Sequence, residues 1–216
     1  RGLVLGGGST TTAINNSGAI TATRTGETGD AVAILDQAGT LKTITNTNTI
    51  RAAVSAPAYK SDGTLPTTTP TAAGKAIALD LRANNSGVTY TQSGPTTFAS
   101  TSTYPSTDTV TSADTATTTV APTTIGDVMF GGGNDTLNLW SGTLVGAMSF
   151  GAGQDRLSID GGAAALGTLN SGDGRLDIAV TNGSLGILNS ETINVSSLSL
   201  GATSKVLFSA DPTAGT

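Results

Sequence analysis

Apolar residues alternate with polar ones in short runs along most of the chain, and the runs recur. Phe130-Gly131-Gly132-Gly133-Asn134-Asp135-Thr136-Leu137-Asn138-Leu139 returns twenty residues later as Phe150-Gly151-Ala152-Gly153-Gln154-Asp155-Arg156-Leu157-Ser158-Ile159. In each copy a Gly-rich corner ends in Asp and leads into an alternating run, Leu137/Leu139 or Leu157/Ile159, with the period of a strand that buries one face. One turn-and-strand unit every twenty residues suits a parallel β-solenoid, in which each coil lays its strands on those of the coil before. Asn170 to Ile178 reads as a degenerate third copy at a spacing of about nineteen, with Arg175 in register with the corner Asp. No window of 11 to 18 residues sustains the apolar spacing i, i+3, i+4, i+7 of a helix, so helix is expected to be close to absent.

The first third repeats with a longer period. Ile14 to Ala22 is matched thirty residues later by Ile44 to Ala52, and Val4-Leu5 by Ile34-Leu35. Asn16 and Asn46 fall at the same corner of the two copies, where Asn can form an amide ladder and tolerate the left-handed backbone of a corner, and both read as structural. Lys75 to Leu81 echoes Asp30 to Asp36 and continues through the turn at Asn84 to Gly87 into the alternating run Val88 to Gln92. Residues 55–74 carry Pro57, Pro66 and Pro70, which interrupt a ladder and predict a loop. Residues 93–124 form a Ser/Thr/Pro-rich loop or linker, within which Thr107 to Val120 could also form poor edge strands. The organisation expected is therefore N-terminal coils over 1–92, the loop or linker over 93–124 and C-terminal coils over 125–216. The fold class is all-β, a right-handed parallel β-helix with irregular loop insertions.

Composition agrees with this pattern and narrows the chemistry. There are 29 Gly, thirteen Asp against two Glu, and eight aromatic residues, so a core would be a narrow column of small aliphatic side chains. Charged residues make up 12%, so Ser, Thr and Asn must solvate the outer face. A net charge of −5 without a Lys/Arg stripe argues against nucleic acid. No run of 18 apolar residues is present, so no helical membrane insertion is expected. With no Cys, a disulfide scaffold and thiol chemistry are excluded. The first residue is Arg1, and the chain reads as an excised piece of a longer one.

Taken together, INNSGAI…GDAVAILDQAGTLKTI, the pair GDVMFGGGNDTLNL and MSFGAGQDRLSI, and SSLSLGATSKVLFSADPTAGT resemble the passenger region of bacterial autotransporters, the type V secretion proteins. That resemblance implies a β-helix exported through the parent chain's own outer-membrane β-barrel translocator. It also implies a place outside the cell or on its surface, and the role of a stalk or adhesin-like scaffold. The absence of Cys fits passage through the barrel without disulfides.

Candidate chemistry is sparse. Without His, Ser-His-Asp and Cys-His arrangements and histidine metal sites are excluded. Several Asp residues sit beside Gly, as in Gly29-Asp30, Gly126-Asp127 and Gly172-Asp173, which is turn chemistry rather than a carboxylate catalytic cluster; no enzyme is expected. Phe130 to Asn138 and Phe150 to Ser158 match the calcium-binding nonapeptide Gly-Gly-x-Gly-x-Asp-x-apolar-x except that Phe replaces the first Gly. Asp135 and Asp155 are thus calcium candidates, though capping of corner N–H groups is the preferred role; no cofactor is otherwise expected. Trp140 is expected to cover a loop or the column's side rather than to meet a carbohydrate. The sequons at Asn84, Asn134, Asn182 and Asn194 read as incidental. The function expected is a non-enzymatic extracellular scaffold, with a self-assembling filament or lattice subunit, or a calcium-binding repeat module, as alternatives. Self-association through unpaired coil ends is the partner reading beside the translocator.

Overall fold

A computed structural model describes residues 1–26, 28–56, 72–102, 114–190 and 192–209. Short strands wind through them in successive coils of three. The first coil is Leu3–Leu5 (β1), Ala13–Asn16 (β2) and Ala19–Thr25 (β3), and the second is Ala31–Asp36 (β4), Thr43–Asn46 (β5) and Thr49–Ser55 (β6). The third has Ala76–Asp80 (β7) and Thr89–Gln92 (β8), then the excursion Thr96–Ser102 (β9) and Asp114–Val120 (β10), and closes with Thr123–Ile125 (β11). Asp127–Met129 (β12), Thr136–Leu139 (β13) and Thr143–Val145 (β14) make the fourth coil. Met148–Ser149 (β15), Asp155–Ile159 (β16) and Ala163–Gly167 (β17) make the fifth, and Leu169–Asn170 (β18), Leu176–Val180 (β19) and Gly183–Ile187 (β20) the sixth. Ser197–Leu200 (β21) and Lys205–Phe208 (β22) lie on top.

Corresponding strands pair in parallel from coil to coil, giving three sheets. Sheet A is β1-β4-β7-β12-β15-β18, sheet B is β2-β5-β8-β13-β16-β19-β21, and sheet C is β3-β6-β11-β14-β17-β20-β22. The fold is a parallel β-helix, and no helix occurs among the described residues. At about 4.8 Å per coil, seven levels span about 30 Å. Period-2 alternation sends every second side chain inward, and parallel register stacks like on like. In sheet B the row Ile14, Ile44, Tyr90, Leu137, Leu157, Ile178, Leu198 runs through all seven strands. Ile20, Ile50, Thr124, Leu144, Ala165, Leu185 and Val206 form its counterpart in sheet C. From Ile44 to Leu185 these rows are buried, so the core is a continuous, largely aliphatic column.

A polar seam runs beside it. Asn16 Nδ2 donates to Asn46 Oδ1 at 2.8 Å, and Asn46 Nδ2 to Gln92 Oε1 at 3.4 Å. Above Gln92 the same row becomes Leu139, Ile159, Val180 and Leu200, so the seam gives way to hydrocarbon at the fourth coil. Thr124 interrupts the aliphatic row of sheet C because the buried Tyr90 hydroxyl on the facing sheet needs a partner and finds its Oγ1. The expected amide ladder is therefore present. The left-handed backbone at these asparagines is not, since among the described residues none other than Gly has positive φ; Asn16 and Asn46 end strands instead.

Register differs from the sequence reading in three places. Leu3, not Val4, pairs with Ile34, because the link from sheet A to sheet B is one residue shorter in the second coil. Asp155 pairs with Leu176 rather than with Arg175, because the fifth coil, from Met148 to the start of the sixth at Leu169, is twenty-one residues long, and Arg175 falls one place earlier. Thr123 and Thr124, assigned to the loop by composition, belong with Ile125 to a column strand paired to β6 and β14. The stretch before it leaves the column as an antiparallel hairpin, β9 against β10. Residues 57–71, the centre of the proline-rich loop, lie outside the described residues, as do 103–113 and 210–216.

Candidate functional site

The corner between sheets A and B carries the residues singled out for calcium. Its Gly content follows from how tightly the corners stack. A Cβ on Gly151 would sit 1.5 Å from Gly131 O, and Gly153, at φ +145, would place one 1.9 Å from Gly133 O. Only glycine lets one corner lie this closely on the next. Phe130 and Phe150 close the inner side of the corner, their rings stacked at 5.1 Å between centroids.

Asp135 and Asp155 occupy adjacent coils in register and are each 1% exposed. Asp135 Oδ1 accepts the Val88 N–H of the coil below at 2.7 Å, and Asp155 Oδ1 accepts the Asp135 N–H at 2.8 Å. Asp173 extends the chain upward by accepting from Gly153 N at 3.3 Å, and Arg175 lies beside it with Nε 3.7 Å from its Oδ2. Each carboxylate thus takes an N–H from the coil beneath. The physical cause is the corner itself: it departs from strand geometry, its N–H groups point along the axis without a strand partner, and a side chain from the next coil must accept them. Asp30 and Asp127 do the converse, accepting from Lys75 and Ala147 of the coil above. Sequence reasoning found the aspartates and their capping role. It missed that the caps run between coils, which no local turn signature encodes.

The second oxygens, Asp135 Oδ2 and Asp155 Oδ2, are buried and have no hydrogen-bond partner. Burial pushes the Asp135 carboxyl up to about 7; the Val88 N–H opposes this and the charge of Asp155 adds to it. Asp155 is also raised, chiefly by burial and further by Asp173, against the Asp135 N–H and Arg175. Calcium takes about six to eight oxygen ligands. This pair offers two uncommitted ones, and no group of three or more His, Cys, Asp or Glu side chains among the described residues could hold a metal ion. What the corner holds is a stacked pair of buried carboxyl groups that bind protons more tightly than free aspartate.

The remaining candidates are dispersed. Trp140 is 48% exposed at the corner between sheets B and C, with its backbone N–H on Gln92 O. Of the sequon asparagines, Asn84 is fully buried and donates to Leu41 O, whereas Asn134, Asn182 and Asn194 are exposed. Among the described residues no helix is long and apolar enough to cross a membrane. No family model, no curated protein and no solved structure matches the chain.

Proposed function

We propose that the chain is a non-enzymatic scaffold of a bacterial surface or secreted protein of the autotransporter type, acting as a stalk that displays its insertions. The observation that carries this reading is the unbroken stacking of three parallel sheets through every coil. Such a column is stiff because each coil's backbone hydrogen bonds lie along the axis and each coil contacts its neighbours alone. The β9–β10 hairpin supports the display role, since it departs from the column and returns to it without disturbing the register of β8 with β13. The carboxylates support a non-catalytic role. Asp30, Asp127, Asp135, Asp155 and Asp173 are each committed to a backbone N–H at a corner. The test is location: antibody labelling and protease shaving of intact source cells should reach the protein, and retention in the cytosol would sink the proposal.

One feature favours self-assembly as a second reading. In β21 and β22, Leu198, Leu200, Leu207 and Phe208 are exposed, and a largely apolar cavity of about 230 Å3 opens between Leu198 and Phe208 on one side and Ile178 and Leu185 on the other. Sheet A ends differently: the Asn189 side chain both accepts from Leu169 N and donates to Leu169 O, taking the place of a next strand. Sheets B and C are the edges on which another coil could stack, head to tail. Sedimentation at micromolar concentration should then show oligomers that Leu200→Asp abolishes, while a monomer at all concentrations removes this reading.

A further inference from the structure

On the outer face of sheet A, at its N-terminal end, a cleft of about 420 Å3 lies between the first and third coils. Its lining is mostly polar around a small aliphatic floor. Val32, Leu35 and Ile77 line it, and neither Val32 nor Ile77 belongs to the core cluster although both are buried. They face outward because the strands bulge: against β12, β7 pairs through Ile77 and then Leu79, so Ala78 is an extra residue there. β4 keeps step with β7 on either side of Ala33. Bulges of this kind re-aim side chains and are frequent beside sites.

The walls are charged. Asp80 is held by Arg82 in a two-pronged pair, Nε to Oδ1 at 2.8 Å and Nη2 to Oδ2 at 2.7 Å. That pair neutralises itself. Asp30 has one carboxylate oxygen on Lys75 N. Arg24 is placed differently: its Nε donates to Thr28 O at 2.7 Å, and its guanidinium lies so close over Gly29 that a Cβ there would meet Nε at 2.6 Å and Cζ at 2.7 Å. An exposed arginine is thereby fixed in position with a neutral partner, and no carboxylate among the described residues pairs with it. With Arg1, three guanidinium groups face two carboxylates among the described residues that line the cleft, on a chain of net charge −5.

We propose that this cleft binds an acidic saccharide. Its carboxylate or sulfate pairs with the planar guanidinium of Arg24, its hydroxyls find an acceptor in the second oxygen of Asp30, and the half-buried Leu35 takes a C–H contact. A fixed fork suits such an oxyanion better than a mobile ammonium does. The volume falls within the range of small-molecule clefts. The inference stands apart from the scaffold reading, since a column that binds no glycan is still a scaffold.

The experiment is calorimetric titration of the purified chain at low salt with three oligosaccharides of equal length: an oligogalacturonate, a sulfated oligosaccharide and neutral oligogalactose. One or both acidic oligomers should bind, with the neutral one at least tenfold weaker; the stronger of the acidic pair tells carboxylate from sulfate. Arg24→Ala should weaken binding at least tenfold, and Gly29→Ala, which displaces the guanidinium, should do the same. Arg51→Ala, on sheet C, should leave it unchanged. Arg24 is exposed, and unaltered circular dichroism and melting of its variant will separate lost binding from lost fold. Absence of binding by both acidic oligomers, equal binding of the neutral one, or full binding by Arg24→Ala would each overturn the proposal.

Discussion

Replacing Asp135 by Asn removes a buried charge while keeping an oxygen to accept the Val88 N–H. Asp135 has a folded pKa of about 7, and an unfolded aspartate titrates near 3.9. The folded state therefore holds the proton more tightly. The stabilisation linked to it is complete below about pH 3.9 and is lost as pH rises through about 7. A shift of about three units corresponds to roughly 2–4 kcal/mol between acid and alkaline conditions. Asp155, shifted in the same direction, adds to the effect. The wild-type chain should consequently be less stable at pH 8 than at pH 5. Asp135→Asn should flatten that slope and melt roughly 4–8 °C above wild type at pH 8, taking about 2 kcal/mol and the scaling for a chain of this size. The assay is urea unfolding followed by circular dichroism from pH 4.5 to 8.5, on both proteins. A wild-type stability that is flat or rises across that range, or an Asn variant less stable than wild type at pH 8, would refute the reasoning.

Further outcomes follow from the stacking. Asn46→Leu should destabilise by about 2–4 kcal/mol in the same assay, because Asn48 N–H loses its acceptor and Asn16 Nδ2 one of its two. Gly151→Ala should cost about 3 kcal/mol, since the new methyl would meet backbone at Gly131, whereas Gly7→Ala, with nothing within 4 Å, should change stability by less than about 0.5 kcal/mol. Excess chelator should leave the melting temperature unchanged if Asp135 and Asp155 serve as corner caps. A fall on chelation that added calcium reverses would instead assign them to a metal.

The alternation at Leu137/Leu139 and Leu157/Ile159, the glycine corners and the twenty-residue spacing determined the coil, and with it the parallel stacking. Each is a local property: period-2 burial marks a strand, and identical units that cannot bury a face alone must stack. The amide ladder was legible for the same reason, because equal spacing places Asn16 over Asn46. Tertiary structure decided what depends on the neighbouring coil. One residue gained or lost in a corner put Leu176 rather than Arg175 over Asp155 and Leu3 beneath Ile34, and Tyr90 in one sheet dictated Thr124 in another. The acceptors of Val88 and Asp135 N–H lie forty-seven and twenty residues away, and the outward turn of Val32 and Ile77 comes from a bulge. Composition and spacing report what a coil needs; the axial contact between coils determines which atom supplies it.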